Sequence, residues 1–207
     1  MISSITWLVM LAVFSGLSMN LILQFGLGLK GIAFDASIGR KKLLAGTGIL
    51  FVTVTLLWLI FSFAHSVFFW GLFEYVILFP ASSLVFYGLE YLVDRFILKV
   101  NAGRKGAFPV SDTFSGGPLA SGALAGTALF ITLNVAGNFG EAVVLSLSFS
   151  GSTALVFVVV GEIRRRSGME AVPQSLRGGP LALIAMGLLS LIFSSGALML
   201  FGVLGTK

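Results

Sequence analysis

The stretch that decides the fold runs from Ile163 to Phe193. It begins Ile163-Arg164-Arg165-Arg166, crosses a short polar loop, and becomes the charge-free run Pro180-Leu-Ala-Leu-Ile-Ala-Met-Gly-Leu-Leu-Ser-Leu-Ile-Phe193, which continues to about Val203. Roughly 20 apolar residues in a helix are enough to cross a bilayer. Because Lys and Arg near helix ends stay on the cytoplasmic side, this basic loop also orients the helix that follows it.

The composition excludes a soluble protein. Hydrophobic residues make up 57% of the chain and charged residues only 10%, against about 45–50% and about 25% in an average globular domain. So few charged residues cannot cover a water-exposed surface. The sequence therefore predicts an integral membrane protein.

The positive charges lie in a pattern that indicates membrane topology rather than nucleic-acid binding. The formal net charge is +5, and twelve of the thirteen Lys and Arg lie in three segments between apolar stretches, the last being Lys207. Such loops face the anionic lipid of the cytoplasmic leaflet. We therefore expect anionic lipid at the cytoplasmic face and no nucleic-acid partner.

Six stretches are long and apolar enough to span a bilayer, and together they predict an all-α fold. They are Ile5–Leu29, Leu43–Ala64, Val67–Val93, Pro118–Ala136, Phe139–Gly161 and Pro180–Val203.

The loops after the first, third and fifth spans are basic, whereas the short loops after the second and fourth carry no Lys or Arg. The basic residues are Lys30, Arg40, Lys41 and Lys42, then Arg95, Lys99, Arg104 and Lys105, then Arg164, Arg165, Arg166 and Arg177. Every basic loop therefore falls on one side. We expect a multi-pass protein of the cell inner membrane with both termini outside the cytoplasm.

This alternation gives the two halves of the chain opposite orientations. The sequence thus predicts one membrane domain of two inverted three-helix repeats, residues 1–93 and 118–207, joined by a cytoplasmic loop over 94–117. Inverted repeats build midplane sites from interrupted helices. Glycines at Gly26-Leu-Gly28 and from Gly116 to Gly126 predict interruptions in spans one and four. The same glycines are also compatible with close helix packing alone.

Three polar residues inside the spans are candidates for an ion path. Asn20 and Gln24 lie four residues apart in span one and therefore share a helix face. Glu74 lies in span three, six residues before Pro80. Intramembrane polar groups are costly and usually face the bundle interior. The alternatives are an inter-helix hydrogen bond for the amides and an interfacial, hydrated carboxylate for Glu74.

The remaining polar residues predict structural roles. Glu90 and Asp94 close span three beside Arg95, Glu141 opens span five where the helix dipole favours an acid, and Glu162 precedes the arginine run. His65 is the only histidine and is placed in the short loop after span two. The sequence contains no cysteine, which excludes disulfides and thiolate ligands within this chain, so we expect no metal site.

No soluble catalytic motif is present: the sequence has no Gly-x-Ser-x-Gly, phosphate loop or dinucleotide fingerprint in a strand–helix context. The serines between Ser146 and Ser152 on span five are predicted to let helices approach closely. We therefore expect no catalytic residues.

The last third of the chain resembles the RnfA/NqrE family, the membrane subunits of ion-translocating electron-transport complexes. The matching residues are Ile163-Arg164-Arg165-Arg166, Val172-Pro173-Gln174-Ser175-Leu176-Arg177-Gly178 and Ala182 to Ser190, with thinner matches at Asn20, Gly28-Leu29, Glu90 and Asn138-Phe139. The resemblance implies six helices in inverted halves, a sister membrane subunit of opposite orientation, and flavin and iron–sulfur clusters in partner subunits.

One difference from that family concerns its cofactor. The family places a cysteine after Gly-Leu in span one and another in an interrupted span four, where they hold an iron–sulfur centre together with the sister subunit. Lys30 occupies the first position and Ala123 the second. The resemblance thus implies a non-catalytic or electron-relay subunit without iron–sulfur ligands of its own.

Two other functions compete with this one. A transporter or channel could use the same inverted-repeat scaffold, with Glu74 and the stretch Asp112–Ser115 contacting a small solute or ion. The chain could also be a purely structural subunit. Flavin- or iron-bearing partners distinguish the electron-transport hypothesis from the transporter.

Overall fold

A computed structural model describes residues 4–25, 40–67, 73–100, 118–167, 173 and 179–205, and all of its regular structure in these residues is helical. The elements in chain order are α1 (Ser4–Val13), a π-helical turn (Phe14–Ser18), α2 (Leu21–Phe25), α3 (Arg40–Val67), α4 (Phe73–Val100), α5 (Pro118–Val135), α6 (Phe139–Ser167) and α7 (Gly179–Gly205). We call α1, the π turn and α2 together the first span.

The described helices confirm the prediction of an all-α membrane protein. Five of their apolar windows are long enough to cross a bilayer, and a shorter apolar helix covers Gly122–Val135. Large apolar side chains such as Phe63, Leu84 and Met199 are 73–75% exposed. Surface of this kind is stable in hydrocarbon rather than in water.

Several helices extend beyond the predicted spans, because hydropathy marks only the part of a helix inside the bilayer core. α3 begins at Arg40 and ends at Val67, so His65 lies in its last turn and the prediction of a loop position was wrong. α4 begins at Phe73 and ends at Val100, later at both ends than the predicted third span. Helical hydrogen bonding continues into the interface, where polar side chains are hydrated.

The centre of the bundle is the antiparallel pair α3 and α6. The hydroxyl of Ser150 donates to the carbonyl oxygen of Thr47, and the rings of Trp58 and Phe139 lie 6.1 Å apart. Moving towards the end of α3 therefore means moving towards the start of α6. Half of the α3 window (50%) and 44% of the α6 window are buried, but only 11% of the α7 window.

Two apolar clusters show which helix ends lie together. One cluster joins Trp58 near the end of α3 and Leu129 in α5 to Leu78 and Ala142, near the starts of α4 and α6. The larger cluster joins the opposite halves of these helices, together with α2 and the first half of α7. The six spans therefore alternate in direction.

This arrangement brings the described basic residues to one end of the bundle, which we call the basic end. They stand in the first turn of α3 and the last turns of α4 and α6: Arg40, Lys41, Lys42, Arg95, Lys99, Arg164, Arg165 and Arg166. The grouping that the loop charges predicted is thus present in the helices. Lys30, Arg104, Lys105, Arg177 and Lys207 lie outside the described residues.

The helix contacts keep nearly the same pattern when the two halves of the chain are exchanged. In this exchange the first span, α3 and α4 correspond to α5, α6 and α7, and the packed pair α3 and α6 corresponds to itself. The contact of α4 with α5 corresponds to that of α7 with the first span. The contacts of α3 with α5 and with α4 correspond to those of α6 with the first span and with α7. The contact of α5 with α6 has no counterpart of similar extent between the first span and α3 in the described residues. The pattern supports the hypothesis of two repeats, whose exact division stays a prediction.

The two predicted interruptions differ. The first span is broken between Phe14 and Asn20, earlier than the glycines Gly26-Leu-Gly28, which lie outside the described residues. α5 is continuous from Pro118 to Val135, so Gly122 and Gly126 do not interrupt it. An interruption of the fourth span would have to precede Pro118, and residues 101–117 lie outside the described part of the chain.

Candidate functional site

The break in the first span begins where α1 gives way to the π turn. The amide of Met19 donates to the carbonyl oxygen of Phe14 at 2.8 Å, a bond one residue longer than in an α-helix. Met19 leaves the helix with φ −101° and ψ 36°. Helix α2 then restarts at Leu21, and its first amides need acceptors that the preceding turn does not supply.

Asn20 supplies these acceptors from its own side chain. Its Oδ1 accepts hydrogen bonds from the amides of Ile22 and Leu23, both at 3.2 Å, which is the geometry of a helix N-cap. Asn20 is fully buried, at 0% exposure. An N-cap at this depth stabilises the restart of the helix where no water is present to do so.

The amide group of the same side chain joins the break to its surroundings. Nδ2 donates to the carbonyl oxygen of Gly16 at 3.4 Å, before the break, and to that of Ser152 in α6 at 3.5 Å. Both N–H groups of the Asn20 amide and both acceptor positions of its oxygen therefore have hydrogen-bond partners. The inter-helix hydrogen bond that the sequence offered as one alternative for Asn20 is present.

The first span and α6 run parallel and approach closely beside the break. Ser148 donates to the carbonyl oxygen of Ala12 at 2.6 Å. A Cβ built on Gly16 would lie 2.6 Å from the Ser148 hydroxyl oxygen, although 4.0 Å from its Cβ. Small residues at helix interfaces allow this proximity in membranes, and the glycine leaves room for the hydroxyl of the serine opposite.

A cavity of about 270 Å³ opens beside the π turn, between the first span, α6 and α7. Its lining residues are apolar or carry only a hydroxyl: Gly16, Leu17, Ser148, Gly151, Ser152, Leu155 and Phe193. π turns inside α-helices are frequent at functional sites. The break, Asn20 and this cavity together form the candidate functional site.

A second close helix contact lies between α4 and α5. A Cβ on Gly122 would lie 2.0 Å from the hydroxyl oxygen of Ser83 and 3.1 Å from its Cα; one on Gly126 would lie 2.6 Å from the ring of Phe79. The Ser82 hydroxyl also lies 3.4 Å from the Gly122 carbonyl oxygen. These glycines serve close packing, the alternative that the sequence left open beside interruption.

The comparisons with known proteins add no relative. No protein-family model matches the chain, and no curated protein matches it. The resemblance to RnfA/NqrE therefore rests on the residues quoted above.

The predicted ion-path residues do not all fall at the break. Asn20 does, and Gln24 follows it in α2, but nothing is described of the Gln24 side chain. Glu74 is the second residue of α4 and so lies in its first turn, at the opposite end from the basic residues. This position agrees with the interfacial alternative, while its part in an ion path stays a prediction.

Of the two positions of the family cysteines, the structure describes only Ala123. Ala123 is half-buried within α5, whereas Lys30 and the stretch Asp112–Ser115 lie outside the described residues. In the described part of the chain, no group of three or more His, Cys, Asp or Glu residues could hold a metal.

The carboxylates near the helix ends have structural partners. Glu141, in the first turn of α6, accepts from the Trp7 indole at 3.0 Å and from the Gly137 amide at 2.8 Å, so it ties α6 to the start of the first span. At the basic end, Glu162 pairs with Arg166 at 3.0 Å. Both observations agree with the helix-end roles predicted for these acids.

Sequence reasoning missed the π turn and the contact of Ser148 with Gly16. Both depend on which faces of two helices far apart in sequence pack together, and hydropathy does not predict those faces. The only sequence signal was the serine-rich stretch from Ser146 to Ser152, whose predicted packing role is confirmed by the hydrogen bonds of Ser148 and Ser150.

Proposed function

We propose that this protein is a membrane subunit of an ion-translocating electron-transport complex of the Rnf/Nqr type, without iron–sulfur ligands of its own. The observation that carries the proposal is the break at Asn20 in the first span. In the resembled family the cluster-bearing segment follows the Gly-Leu of that span, and here Gly28-Leu29-Lys30 follows the break along the chain. The resemblance from Ile163 to Ser190 supports it independently.

In this proposal the chain contributes structure and orientation rather than redox chemistry. Its partners are a sister membrane subunit of opposite orientation and subunits that carry flavin and iron–sulfur clusters. Asn20, Gln24 and Glu74 are the candidates for polar contacts along an ion path, and the basic end faces anionic lipid in the cytoplasmic leaflet. Both termini then lie outside the cytoplasm, in the cell inner membrane.

The decisive experiment is purification from the native membrane through a tag at Lys207, followed by measurement of flavin and iron in the complex and in this chain after the subunits are separated. We expect flavin and iron in the complex and none on the separated chain. A complex without either cofactor contradicts the electron-transport proposal, and iron on this chain alone contradicts the role given to Lys30 and Ala123.

A transporter is the second candidate, and the broken first span favours it as well. Secondary transporters with inverted repeats form their substrate sites at the midplane from discontinuous helices. Binding of a small solute or ion by the purified chain, without redox partners, supports this function. A chain that purifies with neither redox partners nor a solute points to a purely structural subunit.

A further inference from the structure

The cavity beside the π turn is independent of the redox proposal, and the apolar windows of the helices that line it place it near the middle of the bilayer. Gly151 is the central residue of the membrane window Phe139–Ile163. Gly16 is close to the centre of the window Thr6–Leu23, and Phe193 lies just past the centre of Pro180–Leu200. Three spans therefore place the cavity at the same depth, near the midplane.

The cavity presents no unsatisfied hydrogen-bond donor among its described lining residues. The hydroxyl of Ser148 donates to the Ala12 carbonyl oxygen at 2.6 Å, and that of Ser152 to the Phe149 carbonyl oxygen at 3.0 Å. No residue that lines it is charged. A buried water needs two to four polar partners, so this space favours an apolar occupant over water or a lipid headgroup.

The mouth of the cavity lies on the surface that faces hydrocarbon. Gly151 is exposed, with nothing within 4 Å of a Cβ built on it, and Leu155 is 46% exposed. An apolar cavity of about 150 Å³ holds a benzene molecule, whereas this one has about 270 Å³.

We infer that this cavity binds the terminal segment of an acyl chain from a membrane lipid. Acyl chains end at the bilayer midplane, so the segment available at this depth is flexible, apolar and narrow. An empty space would deprive Leu17, Leu155 and Phe193 of dispersion contacts on one side. The chain end restores these contacts without displacing any hydrogen bond.

Two photoreactive phospholipids test the site in the intact protein in membranes. One carries a diazirine near the methyl end of its acyl chain and the other near the ester. After irradiation and digestion, we expect the first lipid to label the lining residues Leu155 and Phe193 more strongly than Leu84, an exposed residue at the centre of the α4 window, and the second to leave all three unlabelled. Labelling of Leu84 as strong as that of the lining residues overturns the proposal, because bulk lipid then explains the label. Equal labelling of these residues by both lipids overturns the proposal.

A matched pair of variants tests the cavity itself. Gly151→Phe places a ring in the open space at the mouth, and we expect the selective label at Phe193 to disappear. Gly161→Phe puts the same ring on the same helix about 15 Å away, at another exposed glycine with nothing within 4 Å, and we expect the label to persist. Unchanged labelling in Gly151→Phe overturns the proposal.

Two further measurements guard against misinterpretation. Circular dichroism and gel filtration establish that Gly151→Phe is folded, and if it is not, the milder Gly151→Leu takes its place with the same expectation. Cross-linking in native membranes identifies a competing occupant. If the lining residues cross-link there to a partner protein and never to lipid, an interface rather than a lipid tail fills the cavity and the inference is wrong.

Discussion

The hydroxyl oxygen of Ser148 lies 2.6 Å from the carbonyl oxygen of Ala12, and also 2.6 Å from the position that a Cβ on Gly16 would take. A single side chain thus joins α6 to the first span and would have to turn its hydroxyl away, giving up this hydrogen bond, to accept a residue larger than glycine at position 16. The contact lies directly beside the break that Asn20 caps.

Gly16→Ala is expected to lower the free energy of unfolding by about 1–3 kcal/mol, the usual effect of overpacking. The added methyl meets only the Ser148 hydroxyl oxygen, since the Ser148 Cβ lies 4.0 Å away. In a Ser148→Ala background the same substitution should therefore have a much smaller effect. SDS-induced unfolding in mixed detergent micelles measures the loss of unfolding free energy in both backgrounds. Equal losses in the two backgrounds contradict this explanation.

Gly122→Ala is expected to lower the free energy of unfolding by about 1–3 kcal/mol or more. A second substitution at Ser83 is not expected to restore the lost stability. The methyl added at position 122 would meet the Cβ of Ser83 at 2.7 Å and the Cα at 3.1 Å as well as the hydroxyl, so Ser83→Ala leaves the clash in place. Gly88→Ala on α4 is the control, because Gly88 is exposed with nothing within 4 Å. We expect that change to be neutral or to stabilise by up to about 1 kcal/mol, because alanine favours a helix more than glycine does.

Asn20→Ala is expected to lower the free energy of unfolding by about 2–4 kcal/mol. It removes an N-cap, worth about 1 kcal/mol, and leaves buried backbone groups without partners, which adds about 1–3 kcal/mol. Asn20→Ser keeps an acceptor for the amides of α2 and should lose less. Asn134→Ala changes the same residue type at an exposed site on α5. If it costs as much as Asn20→Ala, the cap is not the cause.

The orientation of the bundle can be measured directly, because the chain contains no cysteine and any introduced thiol is the only one. Gly137→Cys lies in the exposed turn between α5 and α6, and Arg165→Cys in the last turn of α6 at the basic end. With both termini outside the cytoplasm, a membrane-impermeant maleimide should label Gly137→Cys in intact cells and Arg165→Cys only after lysis. The reverse order contradicts the predicted sidedness.

Hydropathy was sufficient to predict the apolar helices, of which five have windows long enough to cross a bilayer and the fourth in chain order is shorter, because a bilayer leaves a chain of this composition little choice but helices. The same signal could not locate the break at Asn20. A π turn does not change mean hydropathy, and one amide in an apolar window is equally compatible with an unbroken helix. The glycines pointed instead to Gly26-Leu-Gly28, whose structure is not described.

The contacts that shape the candidate site were beyond sequence reasoning for a different reason. The stretch from Ser146 to Ser152 was correctly predicted to pack against other helices. Which serine meets the Ala12 or Thr47 carbonyl oxygen depends on the rotation of α6 about its axis, and its apolar faces are too similar to define that rotation. The cavity is likewise a consequence of how three helices meet, with no residue pattern of its own.

The hydrogen bond from Asn20 to Ser152 spans 132 residues of sequence, which has a consequence for biogenesis. At roughly 5–20 residues per second, the ribosome needs between roughly 7 and 26 seconds to deliver the acceptor after the donor. Throughout that interval one N–H of the Asn20 amide lacks this partner, whereas its bonds to Gly16, Ile22 and Leu23 can form within the first span alone. The hydrogen-bonding of the break is therefore completed only when α6 has been inserted beside the first span.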